Sequence, residues 1–186
     1  MLKHNVLKIG ITGHLSLQNP DLIGMSIHEI LMSIPNKYPN QQLSFYSPLS
    51  PGADLLAARI AVELSIPLFV ILPFNKDDYL QTFSAEDRKL FLQFLNIAEG
   101  IIKLSETKND GIYQVLGEYL VDNMDVLIAI WNGQEARGPG GTGDVVQDFR
   151  QSRKPLAWIR ADNMTSDQPV FLPDSLPLST IQYENW

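Results

Sequence analysis

Val126-Leu127-Ile128-Ala129-Ile130-Trp131, followed after a short connection by Gly138-Pro139-Gly140-Gly141-Thr142-Gly143-Asp144, is the stretch on which the fold turns. The first run is apolar at every position, so it predicts a strand buried on both faces, the mark of a parallel sheet covered by helices on each side. The glycine run then leads into a helix predicted to start near 142–145. Strand, glycine turn and helix in that order form the unit of an α/β fold.

The same unit recurs along the chain. Further apolar, β-branched runs lie at Leu7 to Thr12, Leu43 to Tyr46, Leu68 to Leu72 and Leu156 to Ile159, most of them bounded by Gly, Pro, Asp or Asn. Between them, Ile23, Ile27, Ile30, Leu31 and Ile34 mark one helical face and Leu56, Ile60 and Leu64 another. A third stretch carries Leu90, Phe91, Phe94, Leu95 and Ala98, and a fourth Ile112, Val115, Leu116, Tyr119 and Leu120. Ile101-Ile102-Lys103 between those two reads as a short extra strand. The fold class predicted is α/β, a three-layer, doubly wound and mainly parallel sheet with right-handed crossovers. One domain is expected over 1–160. Residues 161–186, with Pro169, Pro173 and Pro177, read as an extended tail laid over it through Phe171, Tyr183 and Trp186.

Composition narrows the function. With 186 residues, 45% hydrophobic and 19% charged, the chain can bury a sizeable core and is far from the profile of disorder. The absence of cysteine excludes disulfides, thiol nucleophiles and thiolate metal sites, and three histidines, His4, His14 and His28, offer little for zinc. No metal and no cofactor is expected. A net charge of −7 argues against broad binding to nucleic acid or anionic lipid. No apolar stretch is long enough to span a membrane and none at the start reads as a signal peptide, so cytoplasmic residence is expected.

In an open parallel sheet the ligand crevice lies at the carboxyl ends of the strands. Four turns fall there: Gly10-Ile11-Thr12-Gly13-His14, the Ser47 to Asp54 turn with Gly52 and Ala53, Leu72-Pro73-Phe74, and Gly138 to Asp144. In the last, Gly140, Gly141 and Gly143 let the backbone approach a ligand, and the following helix offers N–H groups and a positive dipole end to a phosphate, with Thr142 adding a hydroxyl. The alternative is a flexible loop in which Asp144 only caps the helix. The Lys of a Walker A loop is missing, and Val146 stands where the dinucleotide fingerprint needs its third glycine. A conventional dehydrogenase is therefore not expected.

Single side chains carry two readings each. Asp54 either complements its helix or accepts hydrogen bonds from ribose hydroxyls or an amino group. His14 is a solvent-facing loop residue or faces the crevice. Trp131 packs in the core or stacks on a base, and Tyr79 and Phe83 form a lid or simply pack.

These segments together resemble the SLOG superfamily, the Rossmann-like group that joins the DNA-processing protein A family with the Lonely Guy phosphoribohydrolases. The resemblance covers roughly 7–159 and rests on Gly13-His14, the Ser47 to Ala58 stretch with Gly52-Ala53-Asp54, Leu72-Pro73-Phe74 with Tyr79 and Phe83, the strand ending at Trp131, and Gly140-Gly141-Thr142-Gly143-Asp144. It implies a nucleotide-related ligand held by the first, second and glycine-loop segments, in a sensor or a nucleotide-processing enzyme. The Lonely Guy enzymes cleave the N-glycosidic bond of nucleoside monophosphates with a PGGxGTxxE loop. Pro139 to Gly143 is similar to its PGGxG, but Asp144, Val145, Val146 and Gln147 follow, and the glutamate is missing. A residue at another helical angle does not inherit that glutamate's contacts.

The leading expectation is thus a module that binds or senses a nucleotide or nucleotide-derived molecule. The alternative is a hydrolase of the nucleotide N-glycosidic bond using Asp54 or Asp144. Nucleic acid is disfavoured as a partner, and a homo-oligomer stays open because Rossmann-like units often pair through exposed helices.

Overall fold

The alternating runs assemble into a seven-stranded sheet, described by a computed structural model over residues 5–162, 164 and 176–186. The elements are β1 (Asn5–Gly13), α1 (Pro20–Lys37), β2 (Gln41–Ser47), α2 (Ala53–Glu63), β3 (Leu68–Leu72), α3 (Lys76–Tyr79), α4 (Ala85–Ile97), β4 (Gly100–Lys103), α5 (Ile112–Asn123), β5 (Val126–Trp131), α6 (Thr142–Gln151), β6 (Leu156–Arg160) and β7 (Ile181–Glu184). A short 3-10 turn, Leu80–Thr82, joins α3 to the approach to α4.

The strand order is β4-β3-β2-β1-β5-β6-β7, parallel throughout except for β7, which runs antiparallel to β6. The α/β, doubly wound and mainly parallel architecture read from the sequence is the one observed. From β1 the chain builds outward through β2, β3 and β4, then returns to place β5 on the other side of β1. The order therefore reverses between β1 and β5, where the loops after adjacent strands diverge and open a crevice.

Burial on β5 shows how the sheet is covered. Val126, Ile128 and Ile130 pack in one core with Ile23, Ile27 and Ile30 of α1, Ala57 and Ala61 of α2 and Phe91 of α4. Leu127, Ala129 and Trp131 pack in the other with Leu116 and Leu120 of α5 and Val146 and Phe149 of α6. The two-residue period of a strand sends alternate side chains to opposite layers, which is why this run has no polar positions.

Three elements have no counterpart in the sequence reading: α3, the 3-10 turn and β7. β7 is fixed to α6 by a bidentate pair in which Arg150 Nε and a terminal nitrogen donate to the Glu184 carboxylate at 2.8 and 2.6 Å. Ahead of it, Ser179 Oγ donates to Leu22 O at 2.9 Å and Ser26 Oγ donates to Ser179 O at 2.9 Å, joining this segment to α1. Of the aromatic residues expected to anchor the tail, Tyr183 lies in β7 and Trp186 packs against the core, while Phe171 lies outside the described residues. No described helix is long and apolar enough to cross a membrane.

Candidate functional site

The carboxyl end of β1 is stitched to the start of α2. Gly13 has no room for a side chain: a Cβ there would lie 2.5 Å from the Ala53 Cβ and 2.8 Å from Ile130 O. His14 N–H donates to Ile130 O at 3.1 Å, and Ala53 N–H donates to His14 O at 3.0 Å. Gly52, at φ 79°, leaves no room for a side chain: a Cβ there would lie 2.5 Å from His14 O and nearer still to Leu15 O, so only glycine fits. Gly13, Gly52 and Ala53 thus shape the crevice from behind.

His14 is itself buried, and its Nε2 accepts a hydrogen bond from Asn132 N–H at 3.0 Å. Burial lowers its pKa to about 4, so it is a neutral acceptor joining the loops after β1 and β5.

The turn after β2 is held by Ser47, fully buried, whose Oγ accepts from Leu49 N–H at 3.0 Å and donates to Asp54 O at 3.2 Å. That geometry turns the Asp54 side chain back over the turn, where a carboxylate oxygen accepts from Ser50 N–H at 3.3 Å. Asp54 is 7% exposed, and burial pushes its carboxyl up to about 8, against a smaller opposing effect of the Ser50 N–H. Tyr79 hydrogen-bonds Ser50 as well, and burial holds its hydroxyl far above the usual phenol range. Its ring is locked edge-on by Phe74, Phe83 and Phe91, with centroids 5.5, 5.1 and 6.0 Å away.

The glycine loop closes the opposite wall. Gly140, at φ 76°, lies against the backbone of Tyr113 and Gln114 on α5, so a side chain there would collide with main chain. Asp144 Oδ2 accepts from Gly140 N–H at 3.1 Å and so fastens the loop to the first turn of α6. Gly143 packs against 134–136, where a Cβ would stand 2.7 Å from Ala136 N. The N-cap of α6 is Gly141, which supplies no side-chain acceptor to the helix end.

These walls enclose a cavity of about 780 Å³ at the β1/β5 reversal. Ile11, Thr12 and Gly13 form one boundary, Ser50, Asp54, Tyr79 and Phe83 a second, Leu116, Gly117 and Leu120 a third, and Gly138 to Thr142 a fourth. No Lys, Arg or His is among its described lining residues, and its carboxylates are Asp54 and Asp87. Of the residues singled out in the sequence, Gly13, Asp54, Gly140, Gly141 and Thr142 line this cavity. His14, Trp131 and Gly143 line an adjoining hollow of about 670 Å³ that includes Arg137. Trp131 is buried, its indole N–H donating to Gln134 O at 2.8 Å and its ring 5.5 Å from that of Trp158. Asp144 lines a third hollow, of about 510 Å³, across the loop, and Pro73 lies outside all three.

The α5 wall was not in the sequence reading of the site. Its signal was Gly117 beside the apolar face of the helix. A Cβ at that position would stand 2.9 Å from Val145 Cγ2, so Gly117 lets α5 and α6 approach beside the cavity. Tyr79 and Phe83 both line the cavity and pack into the aromatic cluster, as the packing alternative expected.

An open α/β sheet with its crevice at the strand reversal and a glycine loop opening a helix defines a Rossmann-like domain. Two solved structures share this fold. DNA processing protein A from Streptococcus pneumoniae superposes with a TM-score of 0.56 at 12% identity over 81% of this chain, which spans 49% of that protein. The protein TM1055 gives a TM-score of 0.50 at 14% identity, covering 81% of this chain and 72% of that one. The Moco carrier protein from Chlamydomonas reinhardtii gives 0.46 at 17% identity, with 82% and 75% covered. By sequence, no family model and no curated protein matches.

Proposed function

We propose that this chain binds a nucleotide or nucleotide-derived molecule in the cavity at the β1/β5 reversal. The observation that carries this reading is the joining, in one cavity of about 780 Å³, of a buried polar group at Asp54 and Tyr79, an apolar wall from α5, and the glycine loop that opens α6. A volume of this order suits a small organic ligand, and a planar base with a ribose matches walls that are largely apolar with a few fixed polar atoms. The N-terminus of α6, capped by Gly141 at the cavity edge, suits a phosphate through its positive dipole end.

Binding without turnover is the primary reading. The two carboxylates considered for glycosidic cleavage, Asp54 and Asp144, open into different hollows, so no pair of them flanks one ligand. Hydrolysis is kept as a second reading because of Asp54 alone: a carboxyl raised to about 8 holds a proton at neutral pH and can protonate a departing base. DNA handling draws no support from a cavity without a basic lining or from a net charge of −7.

The test is calorimetric titration with AMP, ADP, ADP-ribose, NAD and cyclic AMP, each mixture then analysed by mass spectrometry. Saturable heat with intact ligand is the expected result. Free base in the mixture would turn the reading to hydrolysis, and no heat with any of the five would overturn both.

A further inference from the structure

Asp54 is an unusual group to find in a nucleotide cavity. It is buried, it faces the cavity, and its one described polar contact is the Ser50 N–H at 3.3 Å on a single oxygen. Beside it, the Tyr79 hydroxyl is joined to the same Ser50 and its ring is immobilised by three aromatic neighbours. The cavity walls are largely apolar, with Ile11, Phe83 and Leu120 among them, and no cation lines the cavity among the described residues. A phosphate brought to this wall would meet a carboxyl group with no counter-charge, so the wall suits an uncharged part of the ligand.

Resting on the nucleotide reading above, we propose that Asp54, positioned by Ser50 and flanked by Tyr79, reads a nucleobase edge in which a ring nitrogen adjoins an exocyclic amino group, as in adenine or cytosine. A carboxylic acid offers one donor and one acceptor on the same side, the complement of that edge. One oxygen is already engaged by the Ser50 N–H and so serves as the acceptor toward the amino group, which leaves the other to carry the proton toward the ring nitrogen. That nitrogen is a stronger proton acceptor than the carbonyl oxygen of hypoxanthine or uracil. The contact also survives transfer of the proton, because carboxylate and protonated ring remain hydrogen-bonded as an ion pair. Burial, which raises the Asp54 carboxyl to about 8, keeps the proton available at neutral pH.

The experiment compares AMP with IMP and CMP with UMP, pairs that differ at this edge, by equilibrium titration of the full chain. Wild type, Asp54→Asn and Asp54→Leu are measured, with thermal melting of each to establish folding. A wild-type preference on the order of tenfold for AMP over IMP, or for CMP over UMP, is expected, as one two-point base contact gives. Asp54→Asn, which keeps a donor and an acceptor, retains a preference, and Asp54→Leu abolishes it while still binding. Binding with AMP and IMP equal and CMP and UMP equal would overturn the proposal and leave the nucleotide reading intact. So would a preference that persists unchanged in Asp54→Leu. Binding of none of the four would overturn both. Should Asp54→Leu not fold, the wild-type ratios alone decide.

Discussion

Replacing Asp54 by asparagine removes an ionisable group from a site that disfavours charge while keeping its size and its acceptor for the Ser50 N–H. In the native state the carboxyl holds its proton up to about pH 8, whereas its ordinary value is 3.8. Between those values folding takes up a proton, so this group's contribution to stability is full at low pH and is lost as pH rises, by up to about 1.4 kcal/mol per unit. At pH 7 the loss approaches roughly 4 kcal/mol, and relaxation of the site brings the expected gain for Asp54→Asn to about 2–4 kcal/mol. For a chain of this size that is a rise in melting temperature of roughly 5–15 °C. Urea unfolding followed by tryptophan fluorescence at pH 4, 7 and 8.5 measures it. His14 has the opposite dependence: its pKa is lowered to about 4, so its contribution is lost as pH falls from 6.5 toward 4. That contribution is common to both proteins and cancels in their difference. The gain should be near zero at pH 4 and reach its plateau above pH 8. A difference that is constant with pH, or a variant less stable than wild type at pH 8.5, would refute the placement of Asp54 as a buried neutral acid.

Other parts of the structure give sharper single outcomes. Gly140→Ala places a side chain at φ 76° against the main chain of Tyr113 and Gln114, so it should cost at least about 1–3 kcal/mol and weaken AMP binding, measured by melting and by titration. Lys154 Nζ donates to the carbonyls of Val121, Asp122 and Met124 at 2.8, 3.2 and 3.0 Å, satisfying the end of α5. Lys154→Met should therefore cost about 1–2 kcal/mol in urea unfolding without altering nucleotide affinity. Glu184→Gln breaks a partly exposed bidentate pair with Arg150 and should cost about 0.5–1 kcal/mol, with amide exchange quickened in 181–184 and unchanged in β5.

The central strands were legible because burial on both faces leaves a continuous apolar run, as in 126–131, that alternation does not interrupt. β4 was legible from Ile101-Ile102 although it is an edge strand and Ile101 is exposed. β7 was not: Ile181-Gln182-Tyr183-Glu184 is a short edge strand, only partly buried, and its pairing with β6 is antiparallel and distant in sequence. α3 spans a single turn, too short for any helical period to register. At the site, glycines announced where backbones approach, yet their purposes differ. Gly52 and Gly143 make room for neighbouring chain, Gly141 lines the cavity, and Gly13 and Gly140 do both. Sequence position alone put Asp54 and Asp144 in equivalent places at helix starts. The structure separates them, because Ser50 turns Asp54 back over its loop beside the cavity while Gly140 draws Asp144 to the other side of the glycine loop. The α5 wall comes from the body of the helix between β4 and β5, beyond the turn that follows a strand, so reading only the residues after each strand passed over it.

The claim that a nucleotide occupies the cavity between Asp54 and the glycine loop is tested most directly by titrating isotopically labelled protein with AMP and following the backbone amide resonances. Saturable shifts confined to 11–13, 50–54, 79–87, 113–120 and 138–145 are the result this account predicts. Saturable shifts centred elsewhere, or none at millimolar AMP, would contradict it.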